Sequence, residues 1–337
     1  MKLNVLATAV VLCCPTLVPA QDVVNVYSAR HYDTDDELYQ KFTEQTGIEV
    51  KLLEGDSDAL LARLEREAAR SPADVFITVD AGRLYQAERR GLFQPVESAV
   101  LNERIPRNLR HRDGLWFGLT KRARVILYAR DRVTPQEIAD YEDLDDPRWR
   151  NRLLIRSSSN VYNQSLVASL IEAHGSEPAA GWCRGVVANL ARRPQGGDRD
   201  QIRGVAAGEG DIAVANHYYY VQLLESDDPA DRAAAARVGL LFPNQNTRGT
   251  HVNISGAGVT RSAPHRENAV KFLEFLTTPE AQAIFAAGNY EYPVVKGVKL
   301  APVLERFGSF KEDDVSADVF GQHNAEAVRL MDRAGWR

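Results

Sequence analysis

The sequence predicts an α/β protein built as two lobes with a ligand cleft between them. Strand-forming and helix-forming segments alternate from Val23 onward, and a second such series begins after Gly114. At ~100 to 200 residues per domain, the 337 residues suffice for two domains with cores of their own.

The first series runs strand VVNVY, helix DDELYQKFTEQ closed by Gly47, strand IEVKLLEG, helix ALLARLEREAA, strand ADVFITV and helix AGRLYQAERR closed by Gly91. Three successive strand-helix units predict a mainly parallel sheet. Asp or Ser near each helix start and Gly after each stop match the chemistry of helix ends. After Gly114, LWFGLTKRARVILYAR reads as two strands, where the chain enters the second lobe. Strand RLLIR, a helix from Tyr162 to Ala173, helices GWCRGVVANL and DQIRGVAAG, strand DIAVA and a helix starting near His217 follow. The chain returns at GTHVNISGAGVT, then forms helices HRENAVKFLEFL and PEAQAIFAAG. This assigns 21–121 and 249–299 to lobe 1, and 122–248 and 300–337 to lobe 2. In such sheets the loops after the strands face the cleft.

Hydrophobic residues are 44% and charged residues 26% of the chain, with no repeat and no late apolar run that could span a bilayer, which excludes a polytopic membrane protein. A net charge of -5 without a basic stripe argues against nucleic acid or an anionic membrane as partner. Residues 1–20 read as a secretory signal peptide: Lys2, an apolar run from Val5 to Leu12, and small residues at Val18 and Ala20, with Pro15 and Pro19 unsuited to a buried helix. Cys13 and Cys14 lie within it and could belong to a lipoprotein signal, but neither follows the usual small residue. Cys183 is then a lone thiol, expected to fill a buried helical position, and the core must hold the chain together.

Tyrosine carries the functional signal. Loops that follow predicted strands and open helices hold His31 and Tyr32 in SARHY, Tyr162 in SSSNVYNQS, and Tyr218 and Tyr219 in NHYYY. A single tyrosine is ordinarily an amphipathic core residue. Three in a row cannot all be, because consecutive side chains at a helix start diverge by ~100°. Tyr220 is expected to be the packed one, leaving the hydroxyls of Tyr218 and Tyr219 in need of partners. Phenols converging with an imidazole suit a hard, highly charged cation, whereas softer metals prefer thiolates and calcium or magnesium prefers carboxylates and carbonyls. Ferric iron fits best, since a trivalent charge can displace phenolic protons whose ordinary pKa is ~10. Helix N-termini also favour the phenolate.

Together these segments resemble the periplasmic ferric-iron-binding proteins of bacterial ABC transporters, in the subgroup that uses several tyrosines and a histidine. The likeness covers VYSARHY, ADVFITVDAGRLYQAERRGLFQPV, RSSSNVYNQSLVASLI, DIAVANHYYY and HRENAVKFLEFLTTPEAQAIFAAGNYEYPV. It implies a type II-like periplasmic-binding-protein fold, His31 and Tyr32 as ligands from the first lobe, Tyr162, Tyr218 and Tyr219 from the second, and a monomer that hands ferric iron to an ABC permease. Arg122 in TKRARV could balance phenolate charge, hold a synergistic anion such as carbonate, or be a solvated strand-end arginine. Gln222 should share the helix face of Tyr218 and Tyr219. His217 could be a ligand, a helix cap or a hydrogen-bond partner of the site, and Tyr290 and Tyr292 read as structural. The same layout could instead take thiamine, a polyamine, a sugar or an oxyanion, for which SSSN at a helix start is the best feature. A non-haem ferric enzyme would need an open coordination position, and the chain carries no GxSxG, HExxH, P-loop or paired-cysteine motif.

Overall fold

The computed structural model describes residues 22–30, 32 and 34–337. The signal segment 1–20, Cys13, Cys14 and His31 lie outside the described residues. Nine strands are present among those described: β1 (Val23–Ser28), β2 (Glu49–Glu54), β3 (Val75–Thr78), β4 (Phe117–Ala129), β5 (Leu153–Leu154), β6 (Ile212–Asn216), β7 (Val238–Leu241), β8 (Val252–Val259) and β9 (Tyr292–Pro293). Their order is β2-β1-β3-β8-β4-β6-β5, with β7 and β9 also paired to β4. As the strand-helix alternation requires, β1 runs parallel to β2 and β3, with helices Thr34–Thr46 and Ser57–Glu67 as the crossovers. β8 then returns antiparallel to both β3 and β4, so the sheet as a whole is mixed and the protein is a two-lobed α/β structure.

β4 joins the two halves. From Phe117 to Ala123 it pairs with β8; from Arg124 to Ala129 it pairs with β6 and β7. The sequence reading expected two strands here, and the structure has one of thirteen residues. No turn-forming pair interrupts TKRARVILYA, and a shift of register between Gly118 and Thr120 takes the place of a break. All of β4 except Lys121 is buried, which is why its pattern is nearly continuous rather than alternating.

Buried apolar side chains form one large cluster around β1, β3 and β8, including Phe42, Phe76, Trp116 and Phe272. Two others flank β4 to β6, one with Trp149, Trp182, Trp336 and the buried Cys183, the other with Val205, Tyr220 and Val221. At about 1.5–3 kcal/mol for each large apolar side chain fully buried, these clusters and not the polar cleft hold the fold. The C-terminal tail serves both sides: Ala317, Val319 and Phe320 join the first cluster, while Leu330, Met331 and Trp336 join the second. Gly321 permits that docking, since a Cβ there would come within 2.2 Å of the Tyr85 side chain. No helix of the described residues is long and apolar enough to cross a membrane.

Candidate functional site

Two helices begin at the cleft. Val161–His174 starts after Asn160, placing Tyr162 in its first turn, and His217–Leu224 starts directly after β6, placing Tyr218 and Tyr219 in its first turn. Neither N-terminus has a side-chain cap, so their free N–H groups leave partial positive charge beside the phenols. The two helix starts bring the Tyr162 and Tyr218 hydroxyls to 3.5 Å of each other, and the Tyr218 and Tyr219 rings lie 4.2 Å apart between centroids. Tyr32, in the loop after β1, is half-buried with the Arg30 guanidinium 4.8 Å from its ring centroid.

Cations surround Tyr162. The guanidinium carbons of Arg122, Arg124 and Arg156 lie 5.6, 5.8 and 6.0 Å from its ring centroid. Arg122 is 1% exposed, which rules out a solvated strand-end role. Its Nη2 donates to the carbonyls of Val79 and Ile254, while Nε and Nη1 have no hydrogen-bond partner. Arg124, two residues on and hence on the same face of β4, donates to Asp198 (2.9 Å) and Asn163 (2.6 Å). Sequence reading singled out Arg122 and missed Arg124, although the period of two in TKRARV marks both.

Of the other residues singled out, Tyr220 is packed as expected, its hydroxyl donating to the Val238 carbonyl at 2.7 Å. His217 is fully engaged: Nδ1 accepts from the Ala123 N–H (3.1 Å) and Nε2 donates to the Tyr290 carbonyl (2.8 Å). Burial lowers its pKa to about 4, so it is neutral and has no free lone pair for a cation. Gln222 donates to Asn289 (3.1 Å) and accepts from Arg199 (2.5 Å), whose guanidinium carbon lies 5.4 Å from the Tyr219 ring centroid. Tyr292 is buried, and Tyr290 offers its carbonyl to His217. Arg30 and Glu291 were not foreseen, yet both are buried at the cleft and joined at 3.0 Å.

Burial is the main influence on all four phenols. It raises Tyr162 to about 12, aided by Tyr219 and opposed by Arg122. Burial raises Tyr218 well above the ordinary phenol value, with Tyr162, Tyr32 and Tyr219 adding to it. Tyr32 and Tyr219 are raised as well, again chiefly by burial. At neutral pH the four therefore hold their protons, and only a strongly charged cation could displace them. The lobes also touch beside the phenols. Asp80, which caps helix Ala81–Arg89, accepts from Ser165 of helix Val161–His174 (3.0 Å) and from Asn253 of β8 (2.8 Å).

A carboxylate-imidazole group lies elsewhere, at Glu88, His111 and Asp318. There the His111 Nδ1 accepts from the Asp113 N–H (3.1 Å), so the proton sits on Nε2, which faces Glu88. That tautomer is the wrong one for binding a cation through Nε2.

Comparison with known proteins agrees with this architecture. Residues 70–307 match the family described as bacterial extracellular solute-binding protein. Iron uptake protein A1 of Synechocystis sp. is 55% identical over 317 residues, covering 94% of this chain and 88% of that protein. The major ferric iron-binding protein of Neisseria meningitidis is 26% identical over the whole of both chains. Among solved structures, a Trichodesmium protein in complex with iron and citrate ligands superposes with a TM-score of 0.92 at 56% identity, covering 94% of this chain and 100% of that one. The ferric binding protein from Campylobacter jejuni gives a TM-score of 0.88 at 42% identity over 93% of this chain and 100% of its own. With a family match over more than half its length and relatives of this identity along nearly all of it, the chain belongs to the bacterial extracellular solute-binding proteins.

Proposed function

We propose that this protein binds ferric iron in the periplasm and delivers it to an ABC-type importer, with Tyr32, Tyr162, Tyr218 and Tyr219 as phenolate ligands together with His31. The observation that carries the reading is the convergence of three phenols from two uncapped helix starts, with the guanidiniums of Arg122 and Arg124 beside the Tyr162 ring. Four phenolates on a trivalent ion leave one negative charge in excess, and Arg122 is the buried cation that offsets it. Its unpartnered Nη1 can also hold an oxygen of a small anion such as carbonate. The names of the relatives support iron as cargo, and their role is transport and not catalysis. Secretion by the 1–20 signal, action as a monomer, and a hinge where β4 passes from its pairing with β8 to its pairing with β6 and β7 belong to the same proposal.

An oxyanion as the sole cargo is less suited to the site, because what converges there is a cluster of phenols, with the Tyr162 and Tyr218 hydroxyls 3.5 Å apart, which serves a hard cation. Lobe closure around the ion provides the test. Small-angle scattering should show the ferric-loaded protein as more compact than the iron-free form, the loaded form fitting the arrangement in which Asp80 meets Ser165. Contraction with thiamine, spermidine or phosphate and none with ferric iron would overturn the proposal.

A further inference from the structure

One carboxylate connects the two guanidiniums that lie against phenols from different lobes. Glu291 is fully buried in the turn between helix Pro279–Gly288 and β9. Its Oε2 accepts from Arg30 Nη1 (3.0 Å), and its Oε1 lies 3.7 Å from Arg122 Nε with no hydrogen bond of its own. Arg30 is fixed in turn by Asp35 (2.8 and 3.2 Å) and Ser255 (2.7 Å), which aims it at the Tyr32 ring. The same turn grips the helix that bears Tyr218 and Tyr219. The Tyr290 carbonyl accepts from His217, and Asn289 accepts from Gln222. Tyr290 holds φ at 54°, a left-handed backbone that a non-glycine residue keeps only where its surroundings enforce it.

Resting on the ferric-binding reading, we propose that Glu291 is a positioning and selectivity residue that makes the site favour ferric over ferrous iron. The Arg30 and Arg122 cations ease formation of the phenolates, but each also repels the ion, and more strongly when it is trivalent. A buried anion between them reverses part of that repulsion. One unit of negative charge near the ion stabilises a 3+ charge more than a 2+ charge, and net charge around a metal sets its reduction potential. The carboxylate also holds Arg30 by a hydrogen bond, while Arg122 beside it is fixed by the Val79 and Ile254 carbonyls, so the charges keep set positions.

The test compares wild type, E291Q and E291D, each loaded with iron and titrated with mediators to find the ferric/ferrous midpoint. Gln keeps an acceptor for Arg30 and removes the charge, so E291Q should shift the midpoint positive, with the ferric-over-ferrous preference falling about tenfold, the size expected of one charge acting across partly screened protein. E291D keeps the charge and should stay near wild type in potential even if its affinity falls. Should E291Q fail to fold with two cations uncompensated, the double variant R30M/E291Q, compared with R30M alone, reads the same carboxylate with its partner removed. An unchanged midpoint in E291Q, or an equal shift in E291D, would overturn the inference while leaving ferric binding intact. A wild-type protein that takes up no iron would instead overturn the reading of function.

Discussion

Tyr162→Phe, Tyr218→Phe and Tyr219→Phe are each expected to lower ferric affinity by more than ~100-fold, because losing a partner of a ligand alone costs ~10–100-fold and these changes remove a ligand itself. Each variant loses only a hydroxyl. The apolar clusters are otherwise untouched, so the variants should fold, with circular dichroism spectra like wild type. Tyr220→Phe is the control. Its hydroxyl bonds to the Val238 and Ala235 carbonyls, away from the other phenols, so the change should cost about 1–3 kcal/mol of stability and leave iron uptake unchanged. Chelator competition measures all four. Equal damage from Tyr220→Phe and Tyr219→Phe would show that the wrong face of helix His217–Leu224 has been assigned to the ion.

The second large effect is on pH. In the iron-free protein burial holds the phenols protonated, Tyr162 at about 12 and Tyr218 higher than its ordinary value, so every phenolate formed at neutral pH releases a proton. Groups whose pKa is raised in this way bind the cation better as pH rises and worse as it falls. With three or four protons displaced, apparent affinity should drop about a thousandfold or more per unit of pH on acidification from neutrality. A carboxylate site, with reference pKa ~4, would barely respond until far lower pH. Reduction should act in the same direction, since ferrous iron compensates less for holding phenols deprotonated, and a reductant with a ferrous chelator should strip the protein faster than the chelator alone. Following bound iron and proton release together from neutral to acidic pH checks this. Iron retained well below the range where histidine titrates, with no protons released on loading, would rule out phenolate coordination.

Local signals in the sequence were enough for much of the fold and for the second-lobe phenols. Helix stops at Gly47 and Gly91 were readable because both residues take positive φ, 73° and 66°, where glycine is favoured. Tyr162, Tyr218 and Tyr219 were readable because each opens a helix just after a strand or its loop. Helix Pro229–Ala236 was overlooked despite a legible start, Asp228 capping it and Pro229 at its first position. Glu291 is a different case. Its partner Arg30 is 261 residues away, and nothing in NYEYP marks a carboxylate that only the folded chain places between two arginines. The meeting of Asp80 with Ser165, 85 residues apart, is equally invisible without the fold.

The central claim is that phenolates hold a ferric ion, and the most direct measurement is an optical titration of the purified protein with ferric citrate. Phenolate-to-iron charge transfer should produce a visible band that grows linearly and stops at one ion per chain, weakened or absent in Tyr162→Phe, Tyr218→Phe and Tyr219→Phe. A mixture that stays colourless and carries no iron after removal of excess citrate would contradict the account.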